Sequence, residues 1–229
     1  MALCGLLLIC LLVANLTLTV AFGSVEDADR GLRELRRLGF RPRRVLDVGA
    51  LFGEWTRRCR RIFPRATFLL IDASDHQESW LDLTKAGVDT AVTLLDSTDR
   101  DVEWHEHSLS KQGSSIYKES TGLFVNVEGV ARRAEGLDRF IQRTGRVGDP
   151  FDLVKLMVQG AEMAVLSGAP NVLAQAEAVQ MHMPFAGSWN QGAPEFGEVV
   201  RFMTEAGFAP FDVGMQHRMW PKCNNTCRS

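Results

Sequence analysis

Glycine, aspartate and serine residues stand at three points of the sequence where a predicted strand ends. Gly49 and Gly53 follow the first apolar run, Asp72 ends the second, and Asp96 and Ser97 follow the third. A glycine turn lets a ligand approach the backbone, and the helix behind it offers free N–H groups. A carboxylate on the neighbouring strand can accept hydrogen bonds from both hydroxyls of a ribose. These residues predict a nucleotide-type site, with Asp96 and Ser97 near an adenine amino group.

The elements that must position these residues alternate between strand and helix. Apolar runs without a helical period predict strands, and they lie at 45–48, 67–72, 90–95, 151–158, 178–183 and 208–213. Helical spacing of apolar residues predicts helices at 25–39, 55–63, 76–86, 161–166 and 195–206. Such alternation requires right-handed crossovers and a largely parallel sheet. We therefore predict an α/β domain with a doubly wound, mostly parallel sheet and a core at 40–214, which binds ligands at the carboxyl ends of its strands.

Residues 101–148 interrupt this alternation, because they are polar and lack a clear period. A strand at 102–107 and a serine-rich piece after it predict a hairpin or loop insertion over the sheet. In that strand His105 and His107 share one face, which is a spacing that metal ligands use. The sequence offers no third ligand beside them, so a solvated hairpin is favoured over a metal site.

Two other classes of ligand fit the sequence poorly. The nicotinamide fingerprint needs Gly-x-Gly-x-x-Gly, whereas the turn at 49–53 reads Gly-Ala-Leu-Phe-Gly and lacks the second glycine. Nucleic-acid binding usually accompanies a strongly basic balance, whereas the formal net charge of this chain is -2. We therefore expect neither a nicotinamide cofactor nor a nucleic-acid partner.

The first 23 residues form a separate hydrophobic segment. Apart from Asn15, Thr17 and Thr19, residues 2–22 are apolar. About 20 apolar residues in a helix suffice to cross the ~30 Å hydrocarbon core of a bilayer. We therefore predict a signal anchor at 1–23 that lies outside the folded domain of residues 24–229. A signal peptide cleaved after Gly23 is the alternative.

The orientation of this segment depends on conflicting signals. Arginines cluster directly after it, and positive charge tends to remain in the cytosol. At the other end, Cys223 and Cys227 flank the glycosylation pattern Asn224-Asn225-Thr226. A close cysteine pair suits an oxidising lumen, although free thiols fit the same spacing. We favour a single-pass membrane protein of the secretory pathway, with its domain on the ER or Golgi lumen side; a secreted protein is the alternative.

Several longer segments accompany the glycine turn. They are Val-Leu-Asp-Val-Gly-Ala at 45–50 with Gly53, Ile-Asp at 71–72, Gly-Leu-Asp-Arg-Phe at 136–140, Asp-Leu-Val-Lys-Leu-Met-Val-Gln-Gly-Ala-Glu at 152–162 and Asn-Gln-Gly-Ala-Pro at 190–194. In this order they resemble the FkbM family of S-adenosylmethionine-dependent methyltransferases. The resemblance covers about residues 40–214.

This resemblance implies a class I methyltransferase fold, which is Rossmann-like, with S-adenosylmethionine lying over the glycine turn. It also implies O-methylation of a hydroxyl on a glycan or small metabolite. In that reaction the protein aligns the acceptor oxygen with the methyl–sulfur bond, and a base removes the proton. The expected cofactor-binding residues are Asp47, Gly49, Ala50, Gly53, Asp72, Asp96 and Ser97.

Two residues are candidates for the acceptor side of this site. His182 ends the fifth strand of the predicted fold, where its imidazole can serve as a base or be hydrogen-bonded within the sheet. Glu162 begins a helix, where it can face the substrate or favour the helix N-terminus. Cys59 stands among arginines without a paired base, which indicates a packed thiol.

The chain departs from the usual family pattern at the site. Met157 stands where the family usually carries Asp, Leu51 replaces a usual Asn, and His182 replaces a common Glu. The usual C-terminal strand is not evident after Gln216, which predicts an incomplete sheet. A thioether neither binds magnesium nor acts as a base. The alternative function is therefore a catalytically inactive methyltransferase fold that serves binding or scaffolding.

Overall fold

The computed structural model describes residues 9–14, 29–107, 111–120, 127–148, 150–183 and 190–213 of the protein. The strands of this part are β1 (Ile9–Ala14), β2 (Arg44–Val48), β3 (Thr67–Asp72), β4 (Asp89–Val92), β5 (Leu94–Asp96), β6 (Arg100–His107), β7 (Val127–Gly136), β8 (Leu153–Leu156), β9 (Ala178–His182) and β10 (Phe208–Val213). Its helices are α1 (Arg30–Arg37), α2 (Glu54–Ile62), α3 (Leu81–Lys85), α4 (Leu137–Arg143), α5 (Glu162–Ser167), α6 (Pro170–Gln175) and α7 (Phe196–Glu205).

Seven strands form the main sheet in the order β10-β1-β9-β8-β2-β3-β4. The five strands from β9 to β4 are parallel, whereas β1 is antiparallel to both of its neighbours. This arrangement confirms the predicted α/β class and its mostly parallel, doubly wound sheet. The strand order reverses between β2 and β8, and open α/β sheets bind their ligands at such a point.

Helices cover both faces of the main sheet. Successive strand residues point to opposite faces, so Val45 packs among the residues of α1, α2 and α3. Leu46 and Val48 pack among those of α4, α5, α6 and α7. Because both faces are covered, the central strands are almost continuously apolar. This explains why the sequence identifies β2 and β3 closely.

A second sheet, in the order β5-β7-β6, takes β6 and β7 from the predicted insertion and β5 from the chain before it. The third predicted strand, at 90–95, is corrected, because it divides into β4 in the main sheet and β5 in the small one. Thr93 separates the two, and its N–H donates to the carbonyl of Asp72 at 2.9 Å. An apolar run indicates that a strand is buried but not which sheet it joins, so this division could not be predicted from the sequence.

Helix α6 is absent from the sequence prediction. It begins with Pro170 in its first turn, and the carboxylate of Asp138 accepts the N–H groups of Asn171 and Val172 at 2.8 and 3.1 Å. Free N–H groups at a helix start need such acceptors. The acceptor here comes from α4, far away in the sequence, so a search for a local capping residue does not find it.

The N-terminal segment contributes a strand to the main sheet. Ile9–Ala14 forms β1 between β9 and β10, with Leu11 opposite Gln180. This pairing concerns residues 9–14 alone, and the predicted division into a segment at 1–23 and a domain at 24–229 stays a prediction. An apolar run is typical of both a buried strand and a membrane span, and its composition does not separate them. Within the described ranges no helix is long and apolar enough to cross a bilayer.

Several predictions about the ends of the chain fall outside the described residues. These are the start of the helix predicted at 25–39, the cysteines at 223 and 227 with the glycosylation pattern between them, and the chain after Gln216. The expected secretory location remains a prediction.

Candidate active site

The glycine turn connects β2 to α2 at the point where the strand order reverses. Gly49 and Gly53 both have positive φ angles, of 71° and 80°. A Cβ atom at Gly49 would overlap the carbonyl oxygen of Met157, so only glycine fits there. Ala50 is buried, and its N–H donates to the carbonyl of Ile71 at 3.2 Å. The turn is therefore packed closely against the ends of both β3 and β8.

Leu51 lies in this turn with a φ of +47°. Its N–H donates to Oδ2 of Asp72 at 2.7 Å, and its carbonyl accepts the indole N–H of Trp80 at 2.6 Å. The left-handed conformation costs an ordinary residue roughly 1–2 kcal/mol, whereas asparagine tolerates it. This gives a physical reason for the Asn that the family resemblance leads one to expect at this position.

A row of buried polar side chains crosses β2, β8 and β9 beneath the turn. Lys155 donates from Nζ to Oδ1 of Asp47 at 2.8 Å and to the carbonyl of Gly49 at 2.7 Å. The hydroxyl of Thr56 donates to Oδ2 of Asp47 at 2.7 Å. In the same row Gln180 accepts the indole N–H of Trp55 at 3.1 Å.

Asp47 is a buried, paired carboxylate that positions the glycine turn, and its predicted contact with the cofactor stays a prediction. Its side chain is 0% exposed and that of Lys155 is 3% exposed. Both carboxylate oxygens of Asp47 are occupied by protein donors. A buried charge is tolerated when it is paired and hydrogen-bonded, and this pair fixes the carbonyl of Gly49.

Asp72 stands where the sequence predicted it, at the carboxyl end of β3 beside the glycine turn. Its Oδ1 accepts the N–H of Ser74 at 2.9 Å, and its Oδ2 accepts that of Leu51. A carboxylate has about four lone-pair positions, so the orientation of Asp72 is fixed while acceptor capacity remains. Its side chain is partly exposed.

Asp96 and Ser97 do not lie at the corresponding edge of the main sheet. Asp96 ends β5 in the small sheet and is fully buried. Its Oδ2 accepts from Nε of Arg100 at 2.5 Å, and its Oδ1 accepts the N–H of Ser97 at 2.7 Å. The chain changes sheets at Thr93, and the predicted adenine contact of Asp96 stays a prediction. Ser97 lines an open groove with Asp138 and Gly168.

Glu162 fixes the turn after β8. Its carboxylate accepts the N–H of Val158 and the N–H of Gly160, both at 2.9 Å. Gln159 and Gly160 both have positive φ angles, of 54° and 97°, and the two hydrogen bonds hold them there. Burial raises the pKa of Glu162, and the charge of His182 and these N–H groups oppose the rise. Glu162 is thus a positioning residue.

His182 lies close enough to Glu162 to affect its pKa, so the structure brings the two predicted acceptor-side residues together. Strands β8 and β9 pair Leu156 with Met181. Met157 and His182 are the next residues on the two strands, at the edge where the glycine turn lies. His182 is buried at this edge.

Sequence reasoning missed the residues that cover the Gln159–Gly160 turn. The carbonyl of Gln159 accepts the hydroxyl of Ser115 at 2.9 Å and the side-chain amide of Asn190. The ring of Tyr117 lies beside Gly160, and burial raises the pKa of its hydroxyl. Ser115 and Tyr117 belong to the polar insertion, where no periodicity marks them.

Two minor predictions have clear outcomes. Cys59 is buried, and burial raises the pKa of its thiol well above its usual range, which confirms a packed thiol. His105 and His107 are buried, which corrects their predicted solvent exposure, whereas antiparallel β6 and β7 confirm the predicted hairpin. In the part of the chain that the structure describes, no group of three or more potential metal ligands was found.

Two buried nitrogen atoms test whether these residues fit an adenosine group. Among the described side chains, Nε2 of His76 and Nε1 of Trp104 are buried without a hydrogen-bond partner. His76 lies beside Asp72, and Trp104 packs in a cluster with Ala73. Buried polar groups normally have partners. These two nitrogens lack partners, and the nearby carboxylate of Asp72 keeps acceptor capacity. Together they fit a ligand that carries hydroxyl and amino groups.

The parallel sheet, the glycine turn at its switch point and the carboxylate on the next strand define a Rossmann-like methyltransferase fold. The chain matches the methyltransferase FkbM domain over residues 47–210, which is well over half of its length. It therefore belongs to the FkbM methyltransferase family. A search of curated proteins gave no match.

The strain at Leu51 gives the first prediction. We expect Leu51→Asn to raise the free energy of unfolding by roughly 0.5–1 kcal/mol, because asparagine adopts a positive φ at lower cost. Chemical denaturation measures the change. Leu51→Ala is the matched control, since it shortens the side chain without relieving the backbone; a gain of equal size in that variant would contradict the explanation.

The buried ion pair gives the second prediction. We expect Lys155→Met to lower the free energy of unfolding by about 3–5 kcal/mol, because it leaves the Asp47 carboxylate buried and unpaired. Combining it with Asp47→Asn should recover much of that loss. Urea denaturation of the two single variants and the double variant measures the coupling. Additive losses would show that the two side chains do not depend on each other.

Proposed function

We propose that the protein transfers a methyl group from S-adenosylmethionine to a hydroxyl group of a glycan or small metabolite. The chain carries a methyltransferase domain; the donor and the acceptor are the proposal. The observation that carries it is the position of Asp72. Its carboxylate is held by two backbone N–H groups beside the glycine turn, where a ribose hydroxyl can reach its remaining lone pairs.

The residues that would hold the donor are the glycine turn and Asp72. S-adenosylmethionine, when bound, supplies a methyl group on a positively charged sulfur atom. The polar row beneath the turn keeps the carbonyl of Gly49 in place through Lys155. Residues that hold both reactants in one geometry can lower the activation barrier of the reaction by several kcal/mol. Positioning is therefore the main contribution expected from this chain.

His182 is the candidate base for the acceptor hydroxyl. It accepts the proton that the hydroxyl loses as the oxygen takes the methyl group, because a neutral imidazole has one ring nitrogen that can accept a proton. Glu162 is less suited to this role, because its side chain is buried while its oxygens hold the N–H groups of Val158 and Gly160. Met157 has a thioether, which cannot act as a base.

A second candidate function is a binding or scaffolding protein without turnover. Met157 favours it, because this residue stands half-buried at the end of β8, next to the turn that holds the donor. An aspartate there would provide a carboxylate at the reacting edge, whereas methionine provides none. Such a protein would keep the donor site and lose the acceptor chemistry.

Ligand-dependent unfolding tests the donor site. We expect S-adenosylhomocysteine at 100 times its dissociation constant to stabilise the full-length protein by about 2.7 kcal/mol. Asp72→Asn should weaken this shift, because the amide offers the ribose fewer acceptor positions. Differential scanning fluorimetry over a ligand series measures both. A folded wild-type protein with no shift would contradict the proposed cofactor.

Substitution of Met157 distinguishes the two proposed functions, an enzyme and a binding or scaffolding protein without turnover. If the site has lost its chemistry, we expect Met157→Asp to create or raise turnover, measured with methyl-labelled S-adenosylmethionine and a panel of glycans and small alcohols. Met157→Leu is the matched control, since it keeps an apolar side chain. If the wild type already turns over and Met157→Asp lowers the rate, the chain is an enzyme that works with methionine at this position.

A further inference from the structure

We propose that His76 binds the ribose of the cofactor together with Asp72. The inference rests on the proposed function and adds a residue that the sequence motifs do not include. Nε2 of His76 is buried without a hydrogen-bond partner. It lies 3.7 Å from Oδ1 of Asp72, and its side chain is 4% exposed. This distance exceeds that of a hydrogen bond, so the nitrogen keeps its full capacity for a ligand.

The imidazole ring is held in this orientation by aromatic neighbours. Its centroid lies 5.2 Å from that of Phe52 in an edge-to-face contact, and 5.8 Å from that of Trp80. Trp80 is itself fixed, because its indole N–H donates to the carbonyl of Leu51. A ring packed between two such neighbours cannot easily turn its nitrogen towards solvent. The unsatisfied nitrogen is therefore a fixed feature of the Asp72 edge.

Burial favours a neutral His76 ring. Burial lowers its pKa, and Lys111 lowers it further, while Asp72, Asp75 and Glu106 oppose the change. A neutral imidazole has one nitrogen that donates and one that accepts. Asp72, when ionised, only accepts. Next to this carboxylate, the imidazole nitrogen supplies a second hydrogen-bonding position.

A ribose presents two adjacent hydroxyls, and each can donate and accept. One hydroxyl can donate to a free lone pair of Asp72. The same oxygen or its neighbour can pair with Nε2 of His76, which lies 3.7 Å from Oδ1 of Asp72. The pair would therefore distinguish ribose from deoxyribose. A site built to pair with a hydroxyl rejects an analogue that lacks it, because its own polar group is then left unpaired.

Isothermal titration of the full-length protein tests this inference. The ligands are S-adenosylhomocysteine and its 2′-deoxy and 3′-deoxy analogues, and the proteins are the wild type, His76→Phe and His76→Gln. Phenylalanine keeps a ring between Phe52 and Trp80 but removes the nitrogen, whereas glutamine keeps a polar group. We expect His76→Phe to bind S-adenosylhomocysteine roughly tenfold more weakly, and His76→Gln to recover part of this loss.

The deoxy analogues separate ribose binding from a general effect on the site. In the wild type, at least one analogue should bind more weakly than S-adenosylhomocysteine, and this difference should shrink in His76→Phe. Unchanged affinity in His76→Phe, or an equal loss for all three ligands, would overturn the inference. If His76→Phe does not fold, the same comparison with His76→Gln decides. If the wild-type protein binds none of the three ligands, the proposed function itself is contradicted.

Discussion

The buried ion pair between Asp47 and Lys155 is the interaction on which the site depends. It joins β2 to β8 at the point where the strand order reverses, and Lys155 also binds the carbonyl of Gly49. Neither charge is stable in the interior alone. The hydroxyl of Thr56 completes the coordination of Asp47 from α2. The position of the glycine turn therefore follows from this buried network.

The glycine turn positions the other parts of the site through direct contacts. The N–H of Leu51 orients Asp72, and the contact of Gly49 with Met157 sets the end of β8. Beyond it, Glu162 holds the Gln159–Gly160 turn by two backbone hydrogen bonds. Each of these contacts joins a strand end to a neighbouring turn. Rigid strand ends of this kind suit a reaction whose barrier is lowered mainly by alignment.

The sequence predicted what depends on local pattern and missed what depends on distant partners. Strands β2 and β3 are clear, because helices on both faces require continuous apolar runs. The division at Thr93 could not be predicted, since both halves of the run are apolar and only tertiary contacts assign them to two sheets. For the same reason the partners of Asp47 and Asp96, which are Lys155 and Arg100, could not be predicted. No motif marks His76, whose environment exists only in the folded chain.

Hydrogen exchange of the full-length protein, with and without S-adenosylhomocysteine, tests the central claim most directly, because it locates the ligand along the chain. The account predicts slower exchange at residues 49–53 and 72–76, where the backbone surrounds Asp72, and little change in the groove lined by Ser97, Asp138 and Gly168. Slower exchange confined to that groove, or no change at 49–53 and 72–76 in a protein saturated with ligand, would contradict it.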